Sequence, residues 1–401
     1  MSDKTTGLIH HSYVPPAGFE APLPGVHKAS TVFFPNVAAM RSREWKDKTA
    51  YTYGLHGTPT SYLLEERIAT LEGGAQCLLV PSGLAAIATV ALSLLRSGDE
   101  VLIPDNAYGP SKALADGELR GWGITYQIYD PMDPQDLARR ISPRTQLVWL
   151  EAAGSVTLEF PDLPELVRIC RAANGGAGVR CALDNTWGAG LAFNAFELGA
   201  GQGVDLTIHA LTKYPSGGGD VLMGAIVTRD PALHIHLKLT HMRLGLGVGM
   251  NDVEAVLRAL PSIALRYAAH DRATRALARW CGTRPEVAQV LHPALPTSPG
   301  HAHWKSLCGE VEGRAAGLFS VVLPERYSTP QVDAFCDALR LFRLGYSWGG
   351  PVSLVVPYNL AQARQAWPAH LARGTLVRFS VGLEAVEDLQ ADLAQALSAL
   401  A

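Results

Sequence analysis

The stretch "LTIHALTKYPSGGGD" sets Lys213 directly after an apolar run of strand type and just before a glycine-rich turn. Burying a lysine there costs free energy unless its charge is paired or lost. A covalent Schiff base removes the ammonium, and lysines with a lowered pKa form one readily. Two other strand-like runs end in suggestive residues. "CALDNTWGAG" closes on Asp184, and "LLVPSGLAAI" passes through Ser82 and Gly83 into a helical pattern. Each feature alone has an ordinary explanation: a lysine whose head reaches water, an acid capping a turn, a plain strand-to-helix connection.

Taken together they describe a cofactor site. Open parallel sheets bind ligands at the carboxyl ends of their strands. A helix start there suits a phosphate, because free N–H groups and the helix dipole both favour an anion. A lysine to carry an aldehyde, an acid to keep a pyridine nitrogen protonated and a phosphate cradle are the parts that pyridoxal 5'-phosphate requires.

The surrounding elements fit such a sheet. "QCLLVP", "EVLIP", "ITYQIY", "TQLVWLE", "VRCALDN", "VDLTIHA" and "LMGAIVT" read as seven strands, with helical patterns such as "GLAAIATVALSLL" and "LPELVRICRAA" between them. That alternation predicts an α/β fold with a mostly parallel sheet covered on both faces. Residues 1–60 carry frequent Pro and Gly and little periodicity, and read as an extended N-terminal arm. Residues 61–252 form the cofactor-binding domain and residues 253–401 a smaller C-terminal α/β domain, whose "HPALPTSPGHAHW" reads as loop.

The 401 residues, 48% hydrophobic and 18% charged, describe a soluble globular protein. A net charge of −3 gives no footprint for nucleic acid. The apolar stretch Cys77 to Leu95 is split by Pro81, Ser82 and Gly83, so a membrane span is not expected. The start has no apolar core of signal-peptide length, and six scattered cysteines without a C-x-x-C pair point to a reduced, cytoplasmic setting. No metal is expected: the histidines of "HIHLKLTHM" read as a solvated helix face.

"DNTWGAG", "LTKYPSGG", "VPSGLAAI", "NAYGPS", "RIATLEGG" and "HPALPTSPGHAHW" together resemble the pyridoxal-phosphate enzymes of cysteine and methionine metabolism, over nearly the whole chain from about residue 25. "GYSWGGPVSLV" and "EAAGSVTLEFPDL" look most like the family's bacterial cystathionine β-lyase branch. The resemblance implies a fold type I transferase-like architecture and a homotetramer built from dimers with active sites at the subunit interface. It makes Lys213 the Schiff-base lysine and Asp184 the partner of the ring nitrogen, with Tyr108 stacked on the ring. Ser82, Gly83, Leu84 and Thr212 would surround the phosphate. Ser347 and Trp348 would line the substrate pocket, and Arg378 would hold the substrate α-carboxylate.

The implied reaction is β-elimination from a small thioether amino acid such as L-cystathionine, giving homocysteine, pyruvate and ammonia, with Lys213 or Tyr53 protonating the leaving thiolate. A γ-synthase, a γ-lyase, a cysteine desulfhydrase and a cofactor-binding regulator stay open as alternatives. Three departures from the family pattern stand out. Ala210 replaces a usual Ser or Thr, Ser155 a usual Asn, and Leu55 the arginine that relatives place two residues after Tyr53 to contact a neighbour's cofactor phosphate. His56 is a candidate replacement for that cation. The loop "YTYGLHGTPTS" matches the segment that crosses into the neighbouring subunit's site in relatives.

Overall fold

The computed structural model describes residues 4–10, 17–18, 21, 23–42, 45, 48, 50–199 and 201–400. The seven strands expected from sequence are all present: β1 (Gln76–Val80), β2 (Glu100–Pro104), β3 (Thr125–Tyr129), β4 (Thr145–Glu151), β5 (Arg180–Asp184), β6 (Leu206–Ala210) and β7 (Gly224–Thr228). They form one sheet in the order β1-β7-β6-β5-β4-β2-β3. β7 runs antiparallel to both β1 and β6, and every other pairing is parallel. Neighbouring residues on a strand enter opposite cores. Leu79, Val148, Leu150 and Leu183 pack on one face, and Leu78, Leu147, Trp149 and Ala182 on the other. This two-sided burial is why the strands read as continuous apolar runs.

The covering helices begin where aspartates stop the chain. Asp133, Asp162 and Asp230 each accept a hydrogen bond from a first-turn N–H, with proline in the first turn of the helix that follows. The apolar stretch after Cys77 divides as expected into β1 and the helix Gly83–Leu94. Among the described residues no helix is long and apolar enough to cross a membrane. All six cysteines are buried and unpaired.

A second sheet holds β8 (Gln289–Leu291), β9 (Leu318–Pro324), β10 (Arg343–Leu344), β11 (Leu354–Tyr358) and β12 (Gly374–Ser380), ordered β10-β11-β12-β9-β8. The helix Ile263–Cys281 packs against β9 and β8 and against Val386–Ala396, whose Leu389 and Leu393 join the same apolar core. Phe379 is the hub of its core: it stacks on Phe319 at 5.0 Å and takes the edge of Phe342 at 5.2 Å.

Three sequence expectations need correction. The arm is not wholly extended: Lys4–Ile9 and Val37–Ser42 are short helices, while part of the arm lies outside the described residues. "HAHW" opens a helix, His301–Cys308, which buries Trp304. The histidine-bearing helix Pro231–Leu244 is solvated on one side only: His236 is exposed, whereas His234, Lys238 and His241 are buried. Lys238 donates to the carbonyl of Trp45 at 3.0 Å and lies over the rings of Trp45 and Tyr62, contacts from residues far away in sequence. No metal-binding cluster occurs among the described residues.

Phe379→Ala should cost about 3–5 kcal/mol, the usual penalty for emptying an aromatic site in a packed core. Chemical denaturation with a C-terminal tryptophan as probe measures it, and an unshifted midpoint would show that the cluster does not hold this sheet together.

Candidate active site

The strand ends of the large sheet converge on a chamber of about 170 Å³. Ser82, Gly83, Leu84, Tyr108, Asp184, Thr212, Lys213 and Trp348 all line it. Ser347 and Arg378 line a second chamber of about 610 Å³, which shares Tyr108, Ser155, Lys213 and Trp348 with the first. Ten of the eleven residues singled out from sequence thus line one continuous space.

Backbone geometry builds the cradle. Ser82 caps the helix Gly83–Leu94, its hydroxyl accepting the N–H of Ala85 at 3.0 Å. The first intrahelical bond is donated by Ala86, so the Gly83 and Leu84 N–H groups belong to the unpaired first turn. A Cβ on Gly83 would come within 2.7 Å of the Ala210 side chain, so glycine here lets the turn press against the end of β6. Ala210 brings no hydrogen-bonding side chain to the chamber. The Thr212 hydroxyl is engaged with the backbone of Met223 at 3.3 Å.

Two carboxyl groups stand side by side at the strand tips, because Glu151 and Asp184 are register partners on β4 and β5. Burial pushes Asp184 above the ordinary carboxylate range, opposed chiefly by hydrogen bonds from Thr186, whose N–H lies 3.0 Å from Oδ1. Glu151 is raised well above its ordinary value by burial and then by Asp184. Glu151 accepts the Tyr108 N–H at 2.8 Å and so fixes the backbone at the start of "YGPS". Sequence reasoning missed Glu151, although it ends an apolar strand just as Asp184 does.

Lys213, just past the end of β6, is held by the segment between β10 and β11 of the second sheet. Its Nζ donates to the Ser347 hydroxyl at 2.9 Å and lies 4.5 Å from the Trp348 ring centroid. Burial and then the charge of Arg378 pull its pKa down to about 8, against the pull of Asp184. The next residue, Tyr214, accepts the N–H of Gly317 at 2.8 Å and gives its carbonyl to Arg266 at 2.7 Å. Gly349 has φ +78°, and a Cβ there would sit 2.9 Å from the Tyr214 nitrogen. Glycine therefore lets the "YSWGG" loop lie on the lysine's backbone. Arg378, 4% exposed, donates to the Ser155 carbonyl at 2.9 Å and faces Trp348 and Tyr358, each at 5.2 Å.

Tyr53 is not with the others. It lies 46% exposed on a separate cavity with Leu55, Lys28 and the segment 247–252. His56 does not line that cavity. It stacks on Trp45 at 4.4 Å, and its Nδ1 is 2.8 Å from the Thr52 hydroxyl. The imidazole is committed to its own loop.

These residues suit pyridoxal phosphate. The chamber offers a helix start for the phosphate, a carboxyl for the ring nitrogen and a lysine amine near neutrality. The indole N–H groups of Trp187 and Trp348, which line the chamber, are buried without a partner among the described residues.

Comparison with known proteins agrees with this chemistry. A sequence model of the family described as "Cys/Met metabolism PLP-dependent enzyme" matches residues 5–398. The chain is 38% identical to a cystathionine beta-lyase of Bordetella avium, with 94% of this chain and 91% of the relative aligned. It is 34% identical to the cystathionine beta-lyase of Escherichia coli K12, over 92% and 91%. A crystal structure of cystathionine gamma synthase from Xanthomonas oryzae pv. oryzae, in complex with aminoacrylate and cysteine, superposes with a TM-score of 0.87 at 28% identity, covering 100% of this chain and 99% of that one.

A lysine titrating near 8 predicts the pH profile of cofactor uptake. The neutral amine is the nucleophile. Uptake of pyridoxal phosphate by apo-protein, followed by absorbance, should therefore rise with pH up to about 8 and then level off. A rate still climbing at pH 10 would mean that the amine is not depressed.

Proposed function

Since the chain belongs to the Cys/Met metabolism PLP-dependent enzyme family, we propose that it is a carbon–sulfur lyase that cleaves L-cystathionine by β-elimination to homocysteine, pyruvate and ammonia. The observation that carries this reading is the Lys213 amine, buried, depressed to about 8 and bonded to Ser347 in one space with Asp184 and Arg378. The two cystathionine beta-lyases, each aligned over more than nine-tenths of its length, support the choice of reaction.

Bound pyridoxal phosphate supplies an electron sink conjugated with the substrate Cα. Asp184 would hold the ring nitrogen protonated, and the Gly83 and Leu84 N–H groups would bind the phosphate. Arg378 fixes the α-carboxylate with a charge-assisted contact. Lys213, neutral in a useful fraction at physiological pH, takes the α-proton. As the Cβ–S bond breaks, the electron pair leaves with sulfur, and the thiolate takes a proton from Lys213 or from Tyr53. Water then completes release of pyruvate and ammonia.

Tyr53 would reach this site from a second copy of the chain. Its exposure beside Leu55, away from its own Lys213, supports a dimer that exchanges these loops.

The likeness to the γ-synthase structure favours one rival, chemistry at Cγ. Product analysis separates the two. Cystathionine should yield pyruvate and homocysteine, whereas 2-oxobutyrate would replace the β-lyase reading with the γ one. Lys213→Ala should lose turnover and the yellow absorbance of the bound cofactor together, and undiminished pyruvate release would remove Lys213 from the chemistry.

Loop exchange is tested by mixing. Lys213→Ala and Tyr53→Phe subunits, each poorly active alone, should regain activity when refolded together, because mixed dimers contain one intact site. No recovery in verified mixed dimers would argue that Tyr53 serves its own chain.

A further inference from the structure

Arg378 is a buried cation without a counter-ion. The one hydrogen bond it makes among the described residues, from Nη1 to the Ser155 carbonyl at 2.9 Å, goes to a neutral acceptor. No carboxylate among the described residues pairs with it. Burial accordingly pulls its pKa below the ordinary range. Buried charges are normally paired, so this one has to be steadied in another way until an anion arrives.

Two aromatic rings do so. The guanidinium lies 5.2 Å from the ring centroids of both Trp348 and Tyr358, within the range over which a π face attracts a cation. The sheet dictates the second of these contacts. Arg378 on β12 is paired with Val356 on β11, and Tyr358 stands two residues further along that strand. The two side chains therefore leave the same face as diagonal neighbours. Tyr358 is itself anchored, packed on the apolar cluster of Leu291, Val322, Leu360, Leu371 and Leu376. On the other flank of β12, Ser320 pairs with Arg378 and donates to the Val156 carbonyl at 2.7 Å. The segment that accepts the Arg378 bond is thus fixed as well. Trp348 is shared with Lys213, 4.5 Å from its centroid, whereas Arg378 is the only cation over Tyr358 among the described residues.

A ring suits the task better than an acid would. A carboxylate beside Arg378 would occupy the guanidinium and would have to be displaced by the substrate. A π face attracts the cation and leaves its N–H groups for the two-pronged contact that a carboxylate makes. We propose that Tyr358 is a positioning residue for substrate recognition, its ring holding the Arg378 guanidinium in place for the α-carboxylate of the amino acid. The inference rests on the reading of Arg378 as the carboxylate site. It makes the preference for an amino acid over its amide depend on an aromatic side chain.

L-alanine and L-alaninamide test this, because they share a shape, differ in the carboxylate and carry no leaving group at Cβ. Their binding to the holoenzyme is followed by the absorbance of bound pyridoxal phosphate at one fixed pH. The unsubstituted protein should bind L-alanine more tightly. Equal affinity would remove Arg378 as the carboxylate site, and the role of Tyr358 with it. In Tyr358→Leu the dissociation constant for L-alanine should rise about fivefold, while that for L-alaninamide stays within about twofold. Tyr358→Phe keeps the ring and should keep both constants. A parallel rise for both ligands in Tyr358→Leu would reduce Tyr358 to a wall of the chamber, and an equal loss in Tyr358→Phe would assign the effect to the hydroxyl. Either result overturns the inference. Tyr358→Asn removes the ring with a polar side chain and is held to the same values. An unchanged preference for L-alanine in Tyr358→Leu or Tyr358→Asn would end the role of Tyr358 and leave that of Arg378 standing.

Discussion

A lysine amine in the crevice between two sheets is the constraint around which this molecule is arranged. Water would hold that amine charged, and the low-dielectric site does not. The large sheet delivers Lys213 just past the end of β6, and the loop between β10 and β11 of the smaller sheet covers it with Ser347 and Trp348. Neither half makes the site alone. The Gly317 N–H and Arg266 tie down Tyr214 from the C-terminal side, and Gly349 lets the covering loop touch the backbone beside the lysine. The packing of the two sheets' loops and the chemistry of the amine are therefore one problem: loosening the first would return the second to water.

The same economy of placement governs the acids. Parallel register brings Glu151 and Asp184 level, so two carboxyls share one buried place and cannot both ionise freely. Behind the sheet sits a second polar cluster. Glu72 meets His209 Nδ1 at 2.8 Å and accepts from Asn185 at 2.8 Å and Thr207 at 3.1 Å. Thr207 and His209 alternate along β6 with Leu206 and Ile208, which pack into the opposite core, where Ile208 lines the cofactor chamber. The alternation of one strand thus separates a chemical face from a structural one.

Much of this was legible in the sequence, and what was hidden was hidden for physical reasons. The seven strands showed because burial on both faces leaves an uninterrupted apolar run. Lys213, Asp184 and Ser82 showed because they interrupt such runs at their ends. β8 and β10, three and two residues long, are too short to carry a period. The buried face of Pro231–Leu244 meets residues remote in sequence, Lys238 the Trp45 carbonyl and His234 the charge of Glu65, and the contact between Arg378 and the Ser155 carbonyl is equally remote. Glu151 carried the right signal, an acid closing a buried strand, but its meaning depends on which strand lies alongside. Register is a property of the fold and not of a segment.

The loop around Tyr53 shows how far contacts can divide neighbouring residues. Its conformation is fixed from its own chain: Gly54 donates to the Ser30 carbonyl at 2.8 Å, and Tyr62 donates to the His56 carbonyl at 3.0 Å. Gly57, at φ +139°, lies so close to the Tyr62 ring that a Cβ would fall 1.9 Å from it. His56 belongs to this scaffold, stacked on Trp45 and with Nδ1 2.8 Å from the Thr52 hydroxyl. Tyr53 and Leu55 are left on the open cavity. The contacts that shape the loop are thus made by His56, Gly57 and Gly54, and the two side chains on the cavity take no part in them.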